Sequence, residues 1–153
     1  MLSPFNTIKT IMVMIPVAFG IFIIDQNIKW LFIEGYRHFG DCIDLILVYN
    51  QGVAFSMFAF LEEWLKWIQL VLLAGVIGYT FHVRKYCYVI PVAILIGAGL
   101  SNIIDRFIHG GVVDYVYWHC GFDFAVFNFA DVMIDFAVLW LFILNIKPSY
   151  CKG

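Results

Sequence analysis

Several long stretches of this chain contain no Asp, Glu, Lys or Arg, and three of them constrain the fold more than any other feature. They comprise 15, 17 and 19 residues, at positions 10–24, 67–83 and 86–104. A fourth apolar run, residues 124–146, is interrupted only by Asp131 and Asp135. With 63% hydrophobic and 13% charged residues, the chain has the composition of a membrane protein and not of a water-soluble globule.

These apolar runs predict four membrane-spanning helices in one polytopic domain, residues 1–153. A spanning helix needs roughly 20 apolar residues, so the first run must continue past Asp25. The predicted spans are residues 10–33, 64–83, 86–104 and 128–146. No small-residue cleavage site follows the first span, and we therefore expect it to be retained and not removed as a signal peptide.

The basic residues predict the orientation of the spans. With four spans both termini lie on one side, which carries Lys9, Arg84, Lys85, Lys147 and Lys152. All 11 acidic residues lie on the other side or within the spans. Because Lys and Arg accumulate on the cytoplasmic side of membrane proteins, both termini are expected to be cytoplasmic. The larger connecting segments, residues 34–63 and 105–127, then lie outside.

The two outer segments are expected to form a small β-rich element at the membrane interface. IDLILVY, residues 43–49, is rich in β-branched and aromatic residues and precedes the turn signal NQG. VVDYVYWHCGFDFAVFN, residues 112–128, is expected to form a second hairpin around Cys120 and Gly121. The run around Asn50 to Phe60, which contains AFSMFAF, is expected to form an apolar shelf at the membrane surface.

The cysteines divide between the two sides of the membrane. Cys42 and Cys120 fall on the outer, oxidising side, whereas Cys87 and Cys151 fall on the cytoplasmic side. A disulfide between Cys42 and Cys120 requires their Cα atoms to lie within about 7 Å, which the sequence alone does not show. Free thiols are therefore the expectation and the disulfide is the alternative.

Three clusters place ionisable or amide side chains within the spans or at their ends. An ionisable group there costs at least ~2.5 kcal/mol on insertion scales and usually faces a polar cavity. DQNIK puts Asp25 and Lys29 on one helix face, either as a pair that ends the helix at the interface or as a functional pair. NIIDR and NFAD each place an Asn three residues before an Asp. Each Asn suits either a polar contact between helices or one site shared with Asp114.

Paired carboxylates are the chemistry that these residue types favour. His38, His82, His109 and His119 include no pair at i and i+4, and no Ser lies in a GxSxG elbow. Two carboxylates that share a proton supply a base to activate water and an acid to protonate a carbonyl oxygen, so peptide hydrolysis needs no metal or cofactor.

Two other classes of protein remain as alternatives. Intramembrane acids also build proton-coupled transporters, so a small transporter is the second reading, although the chain shows no internal repeat. A catalytically inactive membrane adaptor would not need both Asp114 and Asp131.

Four motifs in order, DQNIK, NQGVAF, NIIDR with GGVVDY, and FNFAD, closely resemble those of the type II, or prolipoprotein, signal peptidases. The resemblance covers about residues 25–135. It implies a four-span aspartic endopeptidase of the bacterial inner membrane, with its active site near the outer face. Such an enzyme removes the signal peptide of a lipoprotein precursor by cutting before a Cys that carries a diacylglyceryl group. The expected partners are these precursors and membrane lipids; no cofactor, metal or nucleic acid is expected, and the chain is expected to act as a monomer.

The resemblance also assigns roles to individual residues. It implies that Asp114 and Asp131 are the catalytic pair. The polar side chains and turn expected to position the substrate and the pair are Asn50, Gly52, Asn102, Arg106 and Asn128. The residues expected to give structural support are Asp25, Lys29 and Asp105.

Two positions need separate interpretation. Ser101 stands where many members of the family have Gly, so close packing there is expected to differ slightly. Asp135 lies on the same helix face as Asp131. We expect Asp135 to bond to a neighbouring helix, with tuning of the catalytic pair as the alternative.

Overall fold

The computed structural model describes residues 5–52 and 62–151 as four long helices and a two-stranded sheet. The elements in chain order are α1 Thr7–Ile33, β1 Ile43–Asn50, α2 Glu62–Val83, α3 Val89–His109, β2 Val112–Trp118 and α4 Phe129–Ile146. Each of the four helices is long and apolar enough to cross a membrane. The predicted fold class, a four-span membrane protein with a small β element, is confirmed. Most of the predicted apolar shelf, residues 53–60, lies outside the described residues.

Helix α3 is the centre of the bundle. It packs against α1, α2 and α4 and is the most buried of the four, whereas the other three expose large apolar side chains, as helices in contact with lipid do. Gly97 lies so close to α1 that a Cβ atom there would overlap the backbone of Ala18. Small residues at such crossings allow spanning helices to approach closely. The polar residues near the end of α3 are therefore surrounded by the other helices.

The two ends of the bundle differ in chemistry. At one end, which we call the basic end, Lys9, Arg84, Lys85 and Lys147 lie near the helix termini, and an apolar cluster packs between the helices. The members of that cluster are Met14, Tyr88, Val89, Val92, Ala93 and Leu144. The other end, which we call the site end, contains the ends of α1 and α3, the start of α4 and the two strands.

The sheet differs from prediction in its pairing. β1 and β2 are antiparallel, from Ile43 opposite Trp118 to Asn50 opposite Val112. The predicted second hairpin around Cys120 and Gly121 is therefore wrong in its main pairing, since its first half pairs with β1. Its two halves are joined by a bridge between Val116 and Phe127 and by a hydrogen bond from the Phe124 N–H to the Trp118 carbonyl at 2.9 Å. The eight residues of β1 offer a longer partner edge than the short run after Gly121.

All four cysteines form disulfides, which corrects the expectation of free thiols. Cys42 precedes β1 and Cys120 follows β2, and their Cα atoms lie 4.6 Å apart. Antiparallel pairing brings these two strand ends together, which residue spacing alone does not reveal. At the basic end Cys87 and Cys151 are joined, with Cα atoms 5.4 Å apart. Both distances lie in the usual range for disulfides.

Candidate active site

A cavity of about 340 Å³ opens at the site end between α2, α3, α4 and the two strands. One wall is apolar and is formed by residues 124–127. The polar side chains and turn around it include six of the predicted site residues, namely Asn50, Gly52, Asn102, Arg106, Asp114 and Asp131. Both predicted catalytic carboxylates therefore face one space, although they come from a strand and a helix.

The motif FNFAD forms the start of α4 and orients Asp131. Asn128 is the N-cap residue, and its side-chain oxygen accepts a hydrogen bond from the Asp131 N–H at 2.8 Å. In return the Asp131 carboxylate accepts from the Asn128 N–H at 3.1 Å. This reciprocal capping box satisfies two backbone donors. It explains why Asn and Asp are spaced three residues apart.

The same helix start is anchored to two other elements. The Phe129 N–H donates to the Tyr115 hydroxyl of β2 at 3.0 Å, and the Ala130 N–H donates to the Asp25 carboxylate of α1 at 2.8 Å. A carboxylate is favoured here because the helix N-terminus carries partial positive charge. The Tyr115 ring also stacks on Phe32 of α1, with ring centroids 4.3 Å apart. The position of Asp131 is thus fixed by α1 and β2 as well as by α4.

Asp114 is almost completely buried, at 1% exposure, and is held by two amides. Its carboxylate accepts from Asn128 Nδ2 at 2.7 Å and from Asn50 Nδ2 at 3.0 Å. Burial, and then the negative charge of Asp131, raise the pKa of Asp114 to about 7, against the lowering effect of the two amide hydrogen bonds. Near neutral pH this carboxyl is therefore poised between its protonated and ionised forms.

Asn102 connects the carboxylates to a buried cation. Its side-chain oxygen accepts from Lys29 Nζ at 2.8 Å, and its Nδ2 donates to Asp131 at 2.8 Å. Because an ammonium group only donates hydrogen bonds, Lys29 fixes which end of the Asn102 amide faces Asp131. Lys29 therefore orients Asn102, and Asn102 in turn bonds to Asp131.

Lys29 lies between two buried carboxylates. Its Nζ is 2.6 Å from Asp25 and 2.6 Å from Asp105, and all three side chains are at most 2% exposed. Asp105 also accepts from the Val113 N–H at 3.1 Å, which ties α3 to β2 next to Asp114. Helix α1 ends at Ile33, one turn after Lys29, and the Asp25–Lys29 pair faces the inside of the bundle.

Arg106 binds the backbone of its own chain. One terminal nitrogen donates to the Gly52 carbonyl at 2.5 Å and the other to the Gln51 carbonyl at 3.3 Å. Its Nε donates to Gln69 of α2 at 3.2 Å. The guanidinium therefore holds the turn that follows β1 against α3.

Several residues of this network were missed in the sequence. Ser101 was expected only to alter packing, yet its hydroxyl donates to Asp25 at 2.6 Å. Gln26 donates to the Ser101 hydroxyl and to Asp105, each at 2.8 Å. The sequence did contain a signal for both residues. Each carries an amide or hydroxyl next to Asp25 or Asn102, and such groups in a span need hydrogen-bond partners.

Asp135 also differs from expectation. Its side chain is exposed and lines the cavity with Asp131. Among the described residues its carboxylate makes no hydrogen bond, so the expected bond to a neighbouring helix is wrong. Over those same residues, no group of three or more His, Cys, Asp or Glu side chains is arranged to hold a metal ion.

An apolar trough runs from the cavity toward the basic end, between α2 and α4 and over α3. It comprises two further cavities of about 210 and 560 Å³. Gln69, Asn102 and Ile134 line both the site cavity and the first of these, while Leu72 and Val76 line both cavities of the trough. The carboxylates thus lie at the site end of a groove that follows the helices.

The fold is that of a helical membrane protein, and two Asp carboxylates that line one cavity are the residue types that aspartic proteases use. The chain belongs to the signal peptidase II family, whose model matches residues 17–147. The family resemblance is therefore confirmed, and the protein is a protease of the membrane and not a transporter.

Curated relatives agree with this family placement, and a solved structure shares the fold. The lipoprotein signal peptidase of Sulfurimonas denitrificans is 66% identical over 148 residues, 97% of each chain. That of Sulfurovum sp. is 59% identical, covering 84% of this chain and 88% of the relative. That of Helicobacter pylori strain 26695 is 50% identical, covering 87% and 86%. A bacterial membrane enzyme solved by the in meso method at 2.3 Å resolution has the same fold, with a TM-score of 0.79, 21% identity and coverage of 100% and 96%.

Proposed function

We propose that the protein is an aspartic endopeptidase that removes signal peptides from diacylglyceryl-modified lipoprotein precursors, cutting before the lipidated Cys. The observation that carries this proposal is the convergence of Asp114 and Asp131 in one amide-lined cavity at the mouth of an apolar trough. The relatives that are 50–66% identical over the aligned residues are lipoprotein signal peptidases.

Asp114 and Asp131 act as one acid–base pair in the proposed mechanism. The ionised carboxylate takes a proton from water as the water oxygen bonds to the scissile carbonyl carbon, and the protonated carboxyl donates to the carbonyl oxygen. Collapse of the tetrahedral intermediate breaks the C–N bond: the carboxyl that received the water proton donates it to the departing Cys nitrogen, and a hydroxyl of the intermediate returns a proton to the other carboxylate. Because two close carboxyls titrate as a unit, the raised pKa of Asp114, about 7, keeps one proton on the pair near neutral pH.

The amides around the pair hold its members without supplying a competing charge. Asn128 bridges them, since its Nδ2 donates to Asp114 and its backbone N–H donates to Asp131. Asn102 of α3 also donates to Asp131. An amide both donates and accepts, so these groups also suit the substrate backbone.

The trough suits the apolar segment of a signal peptide. It has an open side toward lipid between α2 and α4, and its lining is mostly aliphatic. A helical signal segment lying there would direct its outer end to the cavity. The acyl chains of the modified Cys would remain in the surrounding lipid, so the membrane is itself a partner and a single copy of the chain suffices.

In the proposed orientation the site end faces outward and both termini are cytoplasmic. The described Lys and Arg residues of the basic end have no acidic neighbours there, as the positive-inside rule expects. The Cys42–Cys120 disulfide then lies on the oxidising side and the Cys87–Cys151 pair faces the reducing cytoplasm.

This orientation predicts how the cysteines label in intact bacterial cells. Without added reductant, Cys42 and Cys120 should resist maleimides because their disulfide persists, and they should react with an impermeant maleimide only after reduction. The Cys87–Cys151 disulfide of the structure should be reduced in the cytoplasm, and the two thiols should then react only with a membrane-permeant reagent. Mass spectrometry of the labelled peptides measures both. Labelling of Cys87 or Cys151 by the impermeant reagent would show that the orientation is reversed.

The function itself is tested with purified protein in detergent. A diacylglyceryl-modified precursor should be cut to a product that begins with the lipidated Cys, without ATP and in the presence of a chelator. The matched control is the same precursor without the lipid, which should be cut far more slowly. Equal cleavage of the two substrates, or a product with a different N-terminus, would contradict the proposed substrate.

A further inference from the structure

Helix α2 is joined to the active site through one polar side chain. Among the hydrogen bonds of the described residues, only the one from Arg106 Nε to Gln69 links a side chain of α2 to another element. Gln69 lies in the middle of the apolar run 67–73, where a lone amide is costly unless it is bonded. The partly buried Gln69 therefore needs this partner, and the guanidinium gains a fixed acceptor.

That bond fixes the direction of the whole guanidinium group. The group is planar and presents its donors in a rigid fork, so anchoring Nε also aims the two terminal nitrogens. These donate to the carbonyls of Gln51 and Gly52. Arg106 is only 6% exposed, so little water is available to replace a lost acceptor.

The turn held by Arg106 in turn orients the amide that holds Asp114. The Gly52 N–H donates to Asn50 Oδ1 at 3.0 Å, a side-chain turn of the kind that Asn readily forms. With its oxygen occupied in this way, Asn50 directs Nδ2 to the Asp114 carboxylate at 3.0 Å. A continuous series of hydrogen bonds therefore runs from α2 through Arg106 and the turn to Asp114.

We infer that Gln69 is a positioning residue for the reaction: it orients Arg106, and through the turn at Gln51 and Gly52 it orients Asn50 toward Asp114. The inference rests on the proposed function, because Asp114 must take part in the reaction for its orientation to matter. Gln69 also lies where the site cavity meets the trough. A substrate segment in the trough would lie beside it, so substrate contact and positioning must be separated by experiment.

Gln69→Met removes the acceptor and keeps the length of the side chain. We expect kcat for a lipidated precursor to fall about tenfold, the loss of one hydrogen bond to a charged group, with KM little changed. The hydrogen bond from Asn50 lowers the pKa of Asp114. Loosening this bond should therefore raise that pKa and move the alkaline limb of kcat to higher pH. Gln69→Glu restores an acceptor for Arg106 and should keep kcat within about threefold of wild type.

Two further variants control this experiment. Ile68→Met places the same side chain one position away on an exposed face of α2 and should leave kcat unchanged. Gln69→Asn keeps the amide but is one methylene shorter, so its oxygen should not reach Arg106 and activity should fall as in Gln69→Met. This variant serves in place of Gln69→Met if the Met variant does not fold.

The inference is wrong if Gln69→Met keeps the wild-type kcat and pH profile, if only KM rises, or if Gln69→Glu is as impaired as Gln69→Met. Asp114→Asn is assayed beside them. If Asp114→Asn is inactive while Gln69→Met is normal, positioning by Gln69 fails and the proposed function stands. If Asp114→Asn is fully active, the proposed function itself fails.

Discussion

Asp114→Asn and Asp131→Asn are each expected to lower the rate of precursor cleavage by about 10⁴-fold, with the protein still folded and inserted. An amide neither takes a proton from water nor donates one as a carboxyl does. Both carboxylates accept hydrogen bonds from amide or backbone donors. Each Asn keeps the shape of the side chain but replaces one accepting oxygen with a donating NH₂ group. Single-turnover cleavage of a lipidated precursor measures the loss.

Two comparisons sharpen this prediction. The double variant should be hardly slower than either single variant, because residues that act as one unit are strongly non-additive. Asp135→Asn should keep measurable activity, since Asp135 lines the same cavity but makes no hydrogen bond to the pair among the described residues. Independent, multiplying losses from Asp114 and Asp131 would show that they do not work as a pair.

Of the single variants proposed here, Lys29→Met should lose the most stability, about 3–5 kcal/mol in the free energy of unfolding. Removing the ammonium leaves Asp25 and Asp105 buried next to each other without the cation that now lies 2.6 Å from each. It also frees the Asn102 amide, so activity should fall with stability. Unfolding of the detergent-solubilised protein by denaturant measures the change.

Lys66→Met is the matched control for Lys29. Lys66 pairs with Glu63 at 2.8 Å, but the Glu63 side chain is 80% exposed, and such surface pairs contribute about 0–1 kcal/mol. A similar loss of stability in both variants would show that the buried network has no special role.

The four spans and the grouping of polar motifs followed from the sequence because both depend on local composition. Charge-free runs of 15 to 19 residues leave few folds other than a helical bundle. The spacing of Asn128 and Asp131 is a helix-capping pattern that acts within one turn. Motifs at the ends of adjacent spans then meet at one end of the bundle.

Features that depend on distant pairing were not predictable in this way. β2 was expected to pair with the run after Gly121, but it pairs with the longer edge of β1. The proximity of Cys42 and Cys120 is a consequence of that register. Gln69 looked like any isolated amide in a span, because its meaning comes from Arg106, which is 37 residues away in sequence.

The central claim, that Asp114 and Asp131 share one proton at working pH, is tested most directly by infrared titration of the carboxyl groups in the purified protein. Wild type should show a protonated carboxyl band that is lost as pH rises through about 7, and this band should be absent from Asp114→Asn. In Asp131→Asn it should be lost at lower pH, because the negative charge of Asp131 helps to raise the pKa of Asp114. A band that titrates near pH 7 unchanged in both variants, or no carboxyl titration near neutral pH in the wild type, would contradict the account.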